Sequence, residues 1–171
     1  MATTVSLVED NEQLRGTLAR VIARAEGFQC LSQYGNAEAA LEALPKDKPN
    51  VVLMDINLPG MNGVECVRRL KQLLPGTQVI MLTAYEDTEN IFNSLAAGAT
   101  GYMLKRTPRD ELLAAIKDVL KGGSPMNTHI ARKVVQSFQR APSTSESTGD
   151  LSPREKEVLD LLAQGDRKSV V

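Results

Sequence analysis

Val51-Val52-Leu53-Met54-Asp55 is the stretch whose reading decides the fold. Four apolar residues run into a single carboxylate. A short continuous apolar run with β-branched residues suits a strand buried on both faces, as in a parallel sheet. Pro59, Gly60 and Gly63 follow closely, so the chain turns just beyond Asp55. The carboxylate is therefore expected at the mouth of a sheet, where open parallel sheets bind ligands.

Outward from that strand, the pattern alternates. Toward the N-terminus, residues 3–8 read as a first strand feeding Glu9-Asp10-Asn11, a polar cluster that can cap a helix. Leu14, Leu18, Val21, Ile22 and Ala25 recur at helical spacing, with Gly27 as a stop. Residues 28–34 read as a second strand. Asn36 then caps a short helix with Ala39, Ala40, Leu41 and Leu44 on one face, and Pro45 is expected to end it. Toward the C-terminus, a helix is expected from about Val64 to Leu74, and a strand over 77–82 leading into Thr83-Ala84. Asp87 caps a helix reaching about Ala97. A fifth strand, about Thr100 to Leu104, ends at Lys105, and a fifth helix begins near Pro108 and closes at Gly122-Gly123.

Five strands alternating with five helices predict an α/β fold with a parallel sheet and helices on both faces. Right-handed crossovers leave few topologies, and the flavodoxin-like order 2-1-3-4-5 fits best. In that order strands one, three and four are neighbours whose C-terminal ends share one edge. That edge would hold Glu9, Asp10, Asp55 and Thr83, with Lys105 arriving from the outer strand.

Bulk properties narrow the function. The chain has 171 residues, room for one domain and part of a second. Apolar residues make up 42% and charged residues 24%, as in ordinary soluble globular proteins. A net charge of -1 creates no global field aimed at nucleic acid or a membrane. No apolar run has transmembrane length, and Met1 to Val5 lacks the basic and apolar regions of a signal peptide. Cys30 and Cys66 show no metal or redox spacing and read as small core residues in a reducing cytoplasm. His129 is the only histidine, which leaves histidine-based catalysis almost no material.

Three carboxylates brought to one edge repel one another, and a hard divalent cation relieves the repulsion. Oxygen ligands with few protein carboxylates suit Mg²⁺. Asp10 and Asp55 are expected as direct ligands, Glu9 through water, and the backbone carbonyl of Asn57 completes the protein's share. Asp55 keeps an oxygen free to attack a phosphoryl group and form an aspartyl phosphate. Lys105 and the cation would neutralise charge on the transferring oxygens, and Thr83 offers them a hydroxyl. Taken singly, each residue has a plain reading: a helix cap at Glu9-Asp10, a solvated lysine at 105, a strand-end hydroxyl at 83, a half-buried strand tyrosine at 102. The signal lies in the set, each member at the C-terminal end of its own strand.

Residues 1–121 resemble the receiver domain of a two-component response regulator. The matching pieces are Leu7 to Asn11, Leu53 to Gly63 (Leu-Met-Asp-Ile-Asn-Leu-Pro-Gly-Met-Asn-Gly), Met81 to Ala84 and Gly98 to Lys105. The resemblance implies Asp55 as phosphoacceptor and a phosphohistidine on a sensor histidine kinase as donor. It implies Glu9, Asp10, Asp55 and the Asn57 carbonyl at Mg²⁺, Lys105 as phosphoryl partner, and Thr83 with Tyr102 as a coupled switch. Phosphorylation would draw Thr83 inward and let Tyr102 turn toward the vacated space. The helix after Asp87, interrupted by Asn90, Asn93 and Ser94, is the expected mobile element. Phosphorylated copies are expected to pair through helices one and five, or through helix four, strand five and helix five. The only chemistry expected is the protein's own phosphoryl transfer and dephosphorylation; it is not expected to be an enzyme on other substrates.

Residues 122–150 are expected as a helix, Asn127 to Arg140, and a flexible linker, 141–150, without large apolar residues. Leu151-Ser152-Pro153-Arg154-Glu155 carries a capping box with proline at the first helical position. Residues 151–165 resemble the first helix of the LuxR-like helix-turn-helix of NarL/FixJ-type regulators. In that family a turn and a recognition helix follow and enter the major groove. The sequence ends at Val171 before either, so 151–171 reads as an incomplete start of a DNA-binding domain, with promoter DNA a partner of a full-length parent only.

Three other readings of an acid at a strand end conflict with the residues around it. A haloacid-dehalogenase-type phosphatase needs a second acid two residues after the nucleophile, where Asn57 stands. A flavodoxin needs a Ser/Thr/Gly-rich phosphate loop after strand one, where Glu9-Asp10 stands. A degenerate receiver acting only as a binding module would not need the full acid set.

Overall fold

A computed structural model describes residues 2–84 and 86–144. The expectations for 145–150, for the LuxR-like segment 151–165 and for Asp166 to Val171 lie outside the described residues. Strand β3 (Val51–Met54) is buried at every position, as its unbroken apolar run demands. β1 (Thr3–Val8) pairs with it on one side and β4 (Gln78–Thr83) on the other, so Leu7, Leu53 and Ile80 stand in one row across the sheet. β2 (Phe28–Tyr34) and β5 (Gly101–Leu104) form the edges. All pairings are parallel and the order is β2-β1-β3-β4-β5, the flavodoxin-like arrangement.

Each early helix starts on a side-chain cap. Asn11, Asn36, Asn62 and Asp87 accept the third amide of α1 (Glu12–Arg24), α2 (Ala37–Asp47), α3 (Gly63–Leu73) and α4 (Thr88–Ala97) respectively. Those caps fix where the chain leaves the sheet's C-terminal edge. α5 (Arg109–Leu120) instead begins after Pro108 with no side-chain cap. α1 and α5 pack on one face of the sheet, over Val5, Leu53 and Ile80. α2, α3 and α4 pack on the other, over Val52, Met54 and Met81. Alternate residues of each strand thus feed opposite cores.

Two expectations need correction. Pro45 does not end α2, which runs on to Asp47 and closes on Lys48, whose N–H donates to Leu44 O. Proline costs one hydrogen bond there, in the last turn, while Ala37, Ala40 and Leu44 hold the helix on the sheet. The helix expected to stop at Arg140 is α6 (Thr128–Thr144), which extends four residues into the expected linker. Its first turns are seated by tertiary contact, and adding residues to an existing helix is easy.

Candidate functional site

The ladder reaches one residue past the strands and carries the acids with it. Glu9 N–H donates to Tyr34 O at 3.0 Å, and Asp55 N–H donates to Val8 O at 3.0 Å. Both carboxylates are thereby held at the C-terminal edge, and both are buried, while Asp10 between Glu9 and the α1 cap is exposed. One oxygen from each of Glu9, Asp10 and Asp55 falls within 4.8 Å of the others, close enough for a common cation. Lys105 N–H donates to Thr83 O at 2.9 Å, which sets the lysine as the next step after β5. Its ammonium reaches Glu9 Oε1 at 2.7 Å and Asp55 Oδ2 at 3.0 Å. All of the expected side-chain acids and the expected lysine therefore meet at one point.

Electrostatics at this point are strained for the acids. Burial pushes the Glu9 carboxyl above its ordinary value, and the neighbouring Asp55 adds to this, outweighing the Lys105 ammonium and the Asn11 N–H, which donates to Glu9 Oε2 at 3.0 Å. For Lys105, burial works against the charge, but the bonds to Glu9 and Asp55 win and its pKa is raised. One buried-edge cation thus serves a cluster of three carboxylates. That donor set, all hard oxygen with a deficit of positive charge, fits a divalent ion such as Mg²⁺.

The loop after Asp55 is pinned twice. Gly63, the first residue of α3, lies so close that an added Cβ would stand 1.9 Å from Asp55 O, so only glycine lets the helix start there. Glu38 on α2 accepts from Met61 N–H at 2.8 Å, and this bond holds its carboxyl below the usual range. Asn57 N–H points back at Asp55 Oδ1, 3.4 Å away, so Asn57 is tucked beside the acid on the same loop.

Thr83 closes β4 and is fully buried. β3 and β4 pair Met54 with Met81, so Thr83 stands one step farther out than Asp55. Tyr102 is not half-buried: its side chain is wholly enclosed, among the residues packed beneath α4 and α6. Burial, reinforced by Asp87, Asp55 and Glu86, raises its phenol far above the ordinary range, so it stays a neutral donor.

Three supporting residues escaped the sequence reading. Arg15 Nη1 donates to Glu9 O at 2.6 Å and fixes the backbone of the acid pair. Glu38 anchors the loop after Asp55 from a helix 23 residues earlier. Glu86 gathers Arg106 Nη2 and His129 Nε2, each 3.5 Å from its Oε2. Each acts through a backbone atom or a distant element, so no local spacing betrays it.

Among known proteins, residues 5–117 match the family described as the response regulator receiver domain. The chain is similar to the transcriptional regulatory protein DegU of Brevibacillus brevis, 30% identical over 94% of this chain and 75% of DegU. It is 28% identical to the nitrate/nitrite response regulator protein NarL of Escherichia coli, over 95% of this chain and 76% of NarL. A crystal structure of a LuxR-family two-component response regulator from Aurantimonas superposes with a TM-score of 0.76 at 27% identity, covering 81% of this chain and 99% of that one.

Proposed function

Because this chain belongs to the response regulator receiver family, within the LuxR-type transcriptional regulators, we propose that it takes a phosphoryl group onto Asp55 from a sensor histidine kinase. The observation that carries this reading is the Lys105 ammonium lodged between Glu9 and Asp55, with Asp10 completing the acid set. An Asp55 oxygen forms the new bond to phosphorus as the bond from phosphorus to the donor's imidazole nitrogen breaks, and the electron pair leaves with the imidazole. Lys105 moves from pairing Asp55 to pairing a phosphoryl oxygen, and Thr83 donates to another. Glu9, Asp10, Asp55 and the Asn57 carbonyl would hold Mg²⁺, which would supply charge neutralisation for the phosphoryl oxygens. Glu9 and Asp55 are themselves buried, and the lower local dielectric strengthens their contacts with Lys105.

In this reading the protein performs only its own phosphoryl transfer and dephosphorylation and has no separate substrate to turn over. Residues 1–121 are the phosphoacceptor unit, 122–150 the connecting helix and linker, and 151–171 open a LuxR-like DNA-binding domain. Phosphorylation changes the conformation about Thr83 and Tyr102 and drives homodimerisation, and the output is transcription in the cytoplasm. No helix among the described residues is long and apolar enough to cross a membrane.

Intact-mass measurement after treatment with acetyl phosphate and Mg²⁺ tests the reading. Wild type gains the mass of one phosphoryl group and Asp55→Asn gains none. A gain that persists in Asp55→Asn, or is absent in wild type, overturns it.

A further inference from the structure

The α4–β5 side of the sheet is not a free surface, because the chain itself covers it. Gly101 opens β5 where an added Cβ would stand 2.9 Å from Pro125 Cγ and 3.1 Å from Pro125 O. The segment before α6 can therefore lie against the strand's outer edge. Tyr102 N–H donates to Pro125 O at 3.0 Å, and Leu104 N–H donates to Asn127 Oδ1 at 3.2 Å. From that fixed start α6 crosses α4. Ile130 and Val134 are buried with Ile91 and Leu95, and the rings of Phe92 and Phe138 meet edge-on, centroids 5.6 Å apart.

A second set of contacts ties α6 to the loop that leaves Thr83. Lys133 Nζ donates to Glu86 O at 2.8 Å, and His129 Nε2 lies 3.5 Å from Glu86 Oε2. Arg106, next to Lys105, approaches the same oxygen at 3.5 Å. That oxygen is enclosed yet accepts no hydrogen bond, so the Glu86 node is held by the loose Arg106 ion pair, with the His129 ring alongside, and by one good bond from Lys133. Glu86 stands three positions after Thr83, with two residues between them.

We propose that α6 is the resident occupant of the α4–β5 face and that phosphorylation of Asp55 loosens it through Glu86. The inference rests on the receiver reading above. Drawing Thr83 toward a phosphoryl oxygen carries the Glu86 carbonyl with it. The start of α6 cannot follow, because it is bonded to β5. The Lys133–Glu86 bond breaks, α6 keeps only its apolar seat, and the face becomes open to a second copy of this chain. Affinities are linked reciprocally, so weakening the α6 seat must favour the phosphorylated form.

The test uses the full chain with Mg²⁺, with and without beryllofluoride as phosphoryl mimic. Fluorine NMR reports whether the mimic is bound at Asp55, and amide exchange by mass spectrometry reports on residues 128–139. Loss of one charge-assisted bond predicts about tenfold faster exchange in 128–139 when the mimic binds. Lys133→Met should show that faster exchange without the mimic and should bind the mimic several-fold more tightly, on the order of tenfold at most. Bound fluoride with unchanged or slower exchange in wild type overturns the inference and leaves the receiver reading standing. So does a Lys133→Met protein with wild-type affinity for the mimic. No bound fluoride in wild type overturns both.

Discussion

Lys105 Nζ stands 3.0 Å from Asp55 Oδ2, across 50 residues of sequence. The same nitrogen is 2.7 Å from Glu9 Oε1, so one ammonium bridges two buried carboxylates on different strands. The contact is made by backbone: Lys105 is laddered to Thr83, and Asp55 to Val8, before either side chain is placed. Removing the ammonium leaves both acids at the edge without that partner.

Lys105→Met is therefore expected to lower stability in metal-free buffer by about 1–3 kcal/mol, since a charge-assisted bond is lost and the acids are left facing each other. Saturating Mg²⁺ should shrink the deficit. Phosphorylation by acetyl phosphate should slow on the order of 100-fold, the usual cost of losing one charge-stabilising donor. Urea unfolding with and without Mg²⁺, and intact-mass kinetics, measure the two effects.

Glu9 gives a pH signature. Its carboxyl is raised from 4.5 by burial first and by Asp55 in addition. Above 4.5 the unfolded chain has released this proton while the folded chain still holds it, so a rise in pH through this window favours unfolding. The contribution of Glu9 is thus destabilising once pH exceeds its folded value, and Glu9→Gln should remove it. Glu38 and Glu65 are shifted the opposite way, so the readout is the difference between wild type and Glu9→Gln in urea titrations from pH 4.5 upward. That difference should grow with pH in favour of the variant, and added Mg²⁺ should reduce it.

Two glycines should behave oppositely. Gly63→Ala drives a methyl into Asp55 O, a backbone atom that cannot swing aside, and should cost about 3 kcal/mol or more along with most of the phosphorylation. Gly76 in the turn after α3 has nothing within 4 Å of an added Cβ, so Gly76→Ala should change stability by about 0.5 kcal/mol or less. Thermal unfolding of the pair checks both; equal losses would mean that the approach of α3 to Asp55 is not limiting.

The cysteines should separate by reactivity. Burial pushes the Cys66 thiol to about 12, with Glu38 adding to the shift, and the side chain is fully enclosed. Cys30 is partly exposed, although burial raises its thiol as well. An aromatic disulfide reagent should label Cys30 slowly in the native protein and reach Cys66 only on unfolding. Native labelling of Cys66 at the rate of Cys30 would contradict the packing of α3 against α2.

Much was readable from local pattern alone. The run at 51–54 forced a doubly buried strand, and Asn36 and Asp87 marked helix starts because a side-chain oxygen satisfies an amide the helix cannot. Pro45 misled because a proline's cost depends on what the rest of its helix buries. The extent of α6 misled because its seat on α4 is a tertiary contact that composition does not record. Arg15, Glu38 and Glu86 stayed hidden because their partners are main-chain atoms or groups from other elements.

Periodicity, caps and the placement of acids at strand ends were enough to determine the alternating strands and helices and the residues at each strand's end. These are short-range consequences of burial and hydrogen bonding, and each is written in a window of a few residues. Only the tertiary structure decided that Lys105 lies between Glu9 and Asp55, that Tyr102 is wholly enclosed and that α6 covers the α4–β5 face. Those depend on distances between elements far apart in the chain, which sheet twist and core packing set together and no local window contains.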